Sequence, residues 1–327
     1  MTRLVLVHGR DNAGLVPQEL ERTWLAVLRA GLDAAGSPRD LADDDASFVF
    51  YGDTLAALTG GDDTAPPVTV HAVVGADTEA QVGAMTGDEL AFLVAVAREV
   101  LRGAGVDAAA VPPDAVAARG VGDLGLGLDL GRVANALLSA LDRYVPRLSG
   151  AVLLLLVRDV WAYVHDPEVA RVVDDALAAA LPTDEPAVVV AHSLGSVVAY
   201  SVLRERAPHA GRWDVPLLLT LGSPLAIRAV RDVLEARAPL RVPAPVRRWV
   251  AARDRRDALA LHDLGPGAFP LEPVSPGIED LVVENRAPGH HAAAVLLDGR
   301  VPAGYLAVPE VARAVGEALP PGPHPAR

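Results

Sequence analysis

The feature that most constrains the fold is the segment AVVVA at residues 187–191, which is apolar at every position and is followed directly by a helical pattern. A strand that is apolar throughout, rather than at every second residue, is covered on both faces. Strands of this kind belong to parallel sheets whose connections are helices. Apolar strands and amphipathic helices alternate along much of the chain, which predicts an α/β fold with a mainly parallel, doubly wound sheet.

Short apolar runs define the predicted strands, and apolar stripes with a 3.6-residue period define the predicted helices. The strands are 3–8, 47–51, 187–191, 217–221, 248–252 and 280–284; the helices are 18–35, 88–102, 132–148, 167–181, 194–206, 225–236 and 309–319. The strand pattern weakens between about 75 and 160. We interpret this segment as a helical insertion, or cap, in a single domain spanning 1–319, and expect 320–327 to be disordered.

Composition excludes several kinds of chemistry. The 327 residues include no cysteine, and every one of the 29 basic residues is arginine, so thiolate metal sites, cysteine nucleophiles and Schiff-base lysines are excluded. The net charge of −13 disfavours nucleic acid as a partner. Without an export signal or an apolar run of bilayer length, we expect a cytoplasmic protein with no integral membrane segment, no metal and no cofactor.

The sharpest motif is AHSLGS at 191–196, between the apolar strand and a helix. It matches the strand–nucleophile–helix turn G-x-S-x-G, with alanine for the first glycine. Ser193 is the candidate nucleophile, flanked by small residues because the turn is tight. The N–H of Leu194, at the start of the helix, is a candidate oxyanion donor, and His192 is a candidate substrate contact.

A second motif, His-Gly-Arg at 8–10, ends the first predicted strand. Gly9 would let the backbone approach the substrate, and the N–H of Arg10 would be the second oxyanion donor. The Arg10 side chain is either a solvated surface group or a clamp for an anionic substrate. Tyr51, at the end of the second strand, is a further candidate substrate contact.

A serine nucleophile needs a base and an acid that orients the base, and in this arrangement both follow later strands. Asp254 and Asp257 follow the strand 248–252, and we favour Asp257, which an apolar run follows. His290 and His291 follow the last strand, and we favour His290, which comes directly after Gly289. Asp254 and His291 remain the alternates.

The chain resembles lipase-like serine hydrolases of the α/β-hydrolase superfamily, and more narrowly a bacterial group of mostly uncharacterised α/β-hydrolases. The resemblance is carried by VHGR at 7–10, FYGD at 50–53, AHSLGSVVAY at 191–200, LGSP at 221–224, W-x7-D-x-L at 249–259 and N-x4-H at 285–290. It implies Ser193 as nucleophile, Asp257 as orienting acid and His290 as base. The chain departs from the pattern after the histidine, because Tyr305-Leu306 follows fifteen residues later, as if a segment had been inserted.

These residues predict a cofactor-independent serine hydrolase, of esterase or lipase type, that cleaves a carboxylic ester or related acyl bond of a small molecule. An acyltransferase or thioesterase using the same triad, or a binding module on a hydrolase scaffold, are the alternatives. We expect the segment 75–160 to overhang Ser193 and line an apolar acyl pocket; otherwise its helices extend the core from one side.

Overall fold

The computed structural model describes residues 2–9, 16–39, 41–42, 45–52, 76–106, 130–145, 148–206 and 213–320. The strands are β1 (Arg3–Val7), β2 (Ala46–Val49), β3 (Ala187–His192), β4 (Leu217–Leu221), β5 (Trp249–Asp254), β6 (Glu279–Val283), β7 (Val295–Leu297) and β8 (Val301–Ala303). The α-helices are α1 (Pro17–Ala34), α2 (Ala76–Gly83), α3 (Gly87–Gly103), α4 (Leu130–Tyr144), α5 (Gly150–His165), α6 (Pro167–Ala180), α7 (Leu194–Glu205), α8 (Arg228–Arg237) and α9 (Pro309–Ala318).

The central sheet has six parallel strands in the order β2-β1-β3-β4-β5-β6. The chain moves from β1 to β2 on one side and then returns to place β3 on the other side of β1. The carboxyl ends of β1 and β3 therefore form the switch point of the sheet, where α/β proteins place their ligand crevice. The predicted α/β fold with a parallel, doubly wound sheet is confirmed, and this order is compatible with an α/β-hydrolase arrangement.

Helices cover both faces of the sheet, so alternate residues of each strand pack in opposite directions. In β1, Leu4 and Leu6 pack with α1 and α9 on one face, whereas Val5 and Val7 pack with the remaining helices on the other. All four side chains are buried. Burial of each such side chain stabilises the fold by about 1.5–3 kcal/mol, which explains why the strands are apolar at successive positions.

The described part of the segment 75–160 is helical. Helix α3 begins at a capping box in which the Thr86 hydroxyl accepts the Glu89 N–H and the Glu89 side chain accepts the Thr86 N–H. Near the other end of α3, Glu99 accepts the N–H of Arg228 at 3.1 Å and lies 2.9 Å from Nε2 of His262. Because those residues follow β4 and β5, this helix reaches the carboxyl edge of the sheet. Its role as a cap stays a prediction.

Two elements of this segment are absent from the sequence prediction. Helix α2 is short, and α5 contains the purely aliphatic run 151–157, which shows no polar positions to reveal a helical period. Ser149 caps α5 by accepting the N–H of Val152. Among the residues that the structure describes, no helix combines the length and apolarity needed to cross a bilayer.

A β-hairpin separates the histidine loop from Tyr305. Strands β7 and β8 pair antiparallel, with Val295 opposite Ala303. Immediately outside this hairpin the N–H of Tyr305 donates to the carbonyl of Ala292 at 3.0 Å, and the N–H of Leu306 donates to that of Ala293 at 2.9 Å. The hairpin thus accounts for the long spacing between the histidine loop and Tyr305-Leu306, and its base returns the chain to that loop.

Two predicted boundaries differ in ways that matter for the site. Strand β5 continues to Asp254, so this residue ends the strand rather than lying in the following loop. The predicted helix 225–236 is divided into a 3₁₀ turn, Pro224–Ala226, and α8. Of the predicted tail, all but Pro320 lies outside the described residues.

Candidate active site

Ser193 occupies a strained turn between β3 and α7. Its φ and ψ are 51° and −125°, a conformation that residues with a side chain rarely adopt. The turn is held from β4, because the Ser193 N–H donates to the carbonyl of Leu221 at 3.0 Å. The side chain is buried at 2% exposure. A strained, non-glycine residue at the end of a central strand is what the motif at 191–196 predicts for a nucleophile.

Small residues surround Ser193 because the backbone approaches it from two directions. A Cβ added to Gly195 would lie 2.4 Å from the carbonyl oxygen of His8, and one added to Gly9 would lie 2.8 Å from the Cβ of Ser193. Neither position therefore has room for a side chain. The two glycines bring the ends of β1 and β3 together at the switch point of the sheet.

The helix that begins after Ser193 supplies N–H groups at the turn. Leu194 is the first residue of α7, and the first N–H groups of a helix have no carbonyl partner inside it. This places the predicted donor Leu194 where a helix dipole favours negative charge. Ser196 fastens the same turn, since its hydroxyl donates to the Ser193 carbonyl and lies 2.7 Å from the Ser223 hydroxyl. Arg10, the other predicted donor, lies outside the described residues.

The orienting acid and an imidazole meet beside this turn. Nδ1 of His291 lies 2.9 Å from Oδ2 of Asp257, a carboxylate at 1% exposure. Because a carboxylate only accepts, Nδ1–H donates to Asp257, and in the neutral ring Nε2 is then the basic nitrogen. The Asp257 carboxylate also accepts the N–H of Leu259 through Oδ1 at 3.0 Å.

The glycine directly after β4 lies against the pair formed by Asp257 and His291. Gly222 comes directly after Leu221 and has φ +54°; a Cβ there would lie 2.9 Å from Oδ2 of Asp257 and 3.1 Å from Nδ1 of His291. The segment after β4 thus contacts both the serine turn and the acid–imidazole pair. Only glycine leaves room for this arrangement.

His290, the favoured base, has a different partner. Its Nδ1 donates to the carbonyl of Asn285 at 2.7 Å and lies 3.9 Å from Oδ2 of Asp254. The preceding Gly289 and His290 itself both have positive φ, 74° and 61°. This turn buries the His290 ring and presents His291 to Asp257. The structure therefore brings Asp257 together with the alternate His291, and it gives the favoured His290 a main-chain partner instead.

Asp254, the alternate acid, holds the backbone around the site. Arg256 donates to both of its oxygens, and the N–H of Asn285 donates to Oδ2 at 2.7 Å. Burial alone would raise the pKa of Asp254, but these hydrogen bonds outweigh it and lower the pKa below its usual value. Asp254 thus ties the end of β5 to the loop after β6.

The three predicted substrate contacts are packed inside the protein. Tyr51 is 2% exposed and donates its hydroxyl to the carbonyl of His8. Nε2 of His192 donates to the carbonyl of His291 at 2.6 Å. Burial, and then the nearby His291, lower the pKa of His192 well below its usual range, so its ring is neutral. Tyr51 and His192 therefore hold the main chain around the site rather than facing a substrate. Gly9 allows the main chain after β1 to lie close to Ser193.

Tyr305 is a site residue that sequence reasoning did not identify. Its hydroxyl donates to Oδ2 of Asp257 at 2.7 Å and accepts the N–H of Asp254 at 3.0 Å. The signal for it in the sequence is the pair Tyr305-Leu306, whose long distance from the histidine gives no indication of a contact with Asp257.

No group of three or more histidine, aspartate or glutamate side chains within the described ranges is arranged to hold a metal ion. A comparison with models of known protein families gives no match to this chain. A comparison with curated protein sequences gives no match either.

Proposed function

We propose that the protein is a serine hydrolase that cleaves a carboxylic ester, or a related acyl bond, through Ser193, His291 and Asp257. The observation that carries the proposal is the 2.9 Å contact of His291 with the buried Asp257, next to a serine in a strained strand-to-helix turn. A serine, a carboxylate and an imidazole, in this order along the chain, form the usual machinery of acyl transfer on an α/β sheet. The assignment revises the sequence hypothesis by replacing His290 with His291 as the base.

In the proposed reaction, Oγ of Ser193 attacks the carbonyl carbon of the substrate and Nε2 of His291 takes the hydroxyl proton. Asp257 stabilises the resulting imidazolium through Nδ1–H. The oxyanion of the tetrahedral intermediate accepts the N–H of Leu194 at the start of α7. His291 then returns the proton to the leaving alcohol, and the acyl group remains on Ser193. Water, activated in the same way by His291, releases the acid.

The surroundings of the pair suit this cycle. Burial of Asp257 removes competing water, and the neutral His192 fixes the main chain of His291 through its carbonyl. A neutral neighbour adds no charge that would oppose the imidazolium. The ring of His291 itself keeps 25% of its side-chain surface exposed, so solvent and substrate have access to it.

The decisive experiment treats the wild-type protein and Ser193→Ala with a fluorophosphonate probe and with p-nitrophenyl esters of increasing chain length. We expect the wild type to be labelled, and Ser193→Ala to lose labelling and to fall in kcat by roughly 10³-fold or more. Folded wild-type protein that does not react would leave the binding-module alternative. Equal turnover by Ser193→Ala would end the proposal. Product analysis with added alcohols separates hydrolysis from acyl transfer.

A further inference from the structure

We propose that Tyr305 is a positioning residue of this site: its hydroxyl fixes the Asp257 carboxylate in the orientation that directs His291. The inference rests on the proposed function, because it assigns a role toward the proposed orienting acid. It goes beyond that function by extending the triad to a fourth residue, contributed by the chain that follows the hairpin β7–β8.

The Tyr305 hydroxyl takes part in two hydrogen bonds, and the donors available determine the direction of each. A phenol has one O–H proton and can also accept. The N–H of Asp254 can only donate, so the Tyr305 oxygen accepts it at 3.0 Å. The phenol proton is then available for Oδ2 of Asp257 at 2.7 Å. Tyr305 therefore accepts from the main chain of β5 and donates to the Asp257 carboxylate.

The Asp257 carboxylate is held by three donors from different parts of the chain. Oδ2 receives the O–H of Tyr305 and Nδ1–H of His291, and Oδ1 receives the N–H of Leu259. Hydrogen bonds to the charged form of a buried acid favour that form. Tyr305 is also packed closely, since a Cβ on Gly222 would lie 3.1 Å from its ring. Loss of the hydroxyl leaves His291 as the only side-chain donor among these three.

Titration leaves the Tyr305 donor intact. Burial, and then the charge of Asp257, raise the pKa of Tyr305 well above its usual value, so the phenol keeps its proton wherever a histidine base operates. The other charged or titratable side chains described around the pair are Asp254, which Arg256 neutralises, His290, whose Nδ1 lies 3.9 Å from Oδ2 of Asp254, and His192, which is neutral.

The test compares Tyr305→Phe with the wild type and with Tyr163→Phe. Tyr163 is a matched control: it is also buried, and its hydroxyl lies 2.7 Å from Oδ1 of Asp174, between α5 and α6. For Tyr305→Phe we expect kcat to fall roughly 10-fold with little change in KM, as for a group that acts on the transition state rather than on binding. We expect the acid limb of the kcat/KM profile to move to higher pH, because the pair then binds a proton more readily. Tyr163→Phe should change neither.

A second measurement does not depend on turnover. The titration of His291 is followed by NMR of isotope-labelled histidine, with its signal assigned by loss in His291→Ala. A shifted His291 titration in Tyr305→Phe supports the proposal, whereas a titration and a pH profile that coincide with the wild type overturn it.

If Tyr305→Phe does not fold, a ring-fluorinated tyrosine at 305 keeps the packing and strengthens the donor. It should move the acid limb to lower pH, and an unmoved limb would equally overturn the role of Tyr305. If the wild-type protein does not react with the fluorophosphonate, the proposed hydrolase function is refuted. That result is distinct from the outcomes that overturn the role of Tyr305.

Discussion

Two adjacent histidines occupy opposite environments in this protein. His290 points its Nδ1 at the backbone of the loop after β6, and His291 points its Nδ1 at Asp257. Their spacing from the strand differs by one residue, so spacing alone cannot separate them. The turn at Gly289 and His290, both with positive φ, decides which ring faces the carboxylate.

This difference predicts the effect of substitution at each residue. We expect His291→Ala to lower kcat by about 10³-fold or more, because the proposed base is lost, and His290→Ala to lower it by less than about 10-fold. Asp257→Asn should likewise reduce kcat more than Asp254→Asn. Steady-state kinetics on folded variants, checked by circular dichroism, measure both comparisons. A larger loss for His290→Ala would return the base role to that residue.

The candidate acid and nucleophile were predictable from the sequence for a physical reason. Ser193 and Asp257 lie next to buried strands, whose apolar runs can be recognised without a structure. The histidine could not be chosen, since its orientation depends on backbone angles of a loop. Tyr305 could not be assigned either, because its contact with Asp257 depends on a hairpin that brings the chain back over a long sequence distance.

At the level of elements, the hairpin β7–β8 is absent from the predicted strands although its turn sequence indicates it. Two three-residue strands flank Asp298-Gly299-Arg300, and aspartate–glycine is a strong hairpin signal. Asp298 and Gly299 both have positive φ, 49° and 70°, as a tight hairpin turn requires. Strands of three residues are too short to show a recognisable alternation of apolar residues. The turn sequence is therefore the stronger signal for this hairpin.

The same hairpin can be shortened without disturbing the site. Because Tyr305 and Leu306 bond to the backbone at 292–293 outside the hairpin, replacing residues 296–302 with Asn-Gly should keep the contact of Tyr305 with Asp257. We expect kcat to stay within about threefold of the wild type, since the replacement supplies the preferred residues of a two-residue turn. Ester turnover and thermal melting measure the outcome. A folded variant that loses more than 10-fold in kcat would mean that the hairpin itself shapes the site.

For the molecule as a whole, one buried acid predicts how stability depends on pH. Burial, which outweighs the bond from Tyr163 and the charge of Arg206, raises the pKa of Asp174 from 3.8 to about 6. An acid with a raised pKa in the folded state holds its proton more tightly there than in the unfolded chain. Its contribution to stability is therefore present below about pH 4 and is lost as pH rises toward 6.

The measurement is the free energy of urea unfolding of the wild type and Asp174→Asn at pH 4 and pH 7. We expect the variant to gain about 2–3 kcal/mol relative to the wild type over this interval, since it has no proton to lose. Asp175→Asn is the matched control on α6. Its hydrogen bond from Arg206 lowers the pKa of Asp175, so the change should have the opposite sign. A variant that tracks the wild type across this pH range would show that Asp174 stays ionised in the fold.

The order in which the site residues occur in the chain has a consequence for synthesis. Ser193 precedes His291 by 98 residues, the difference between 291 and 193, and the hairpin then delays Tyr305 by a further 14. At roughly 5–20 residues per second, a growing chain carries its serine turn for about 5–20 s before the imidazole is made. During that time the proposed nucleophile lacks its proposed base, and Tyr305 is not yet present to hold Asp257. If the proposed function holds, the serine of a ribosome-bound chain is therefore unreactive until the last strand of the sheet and the segment beyond it have folded into place.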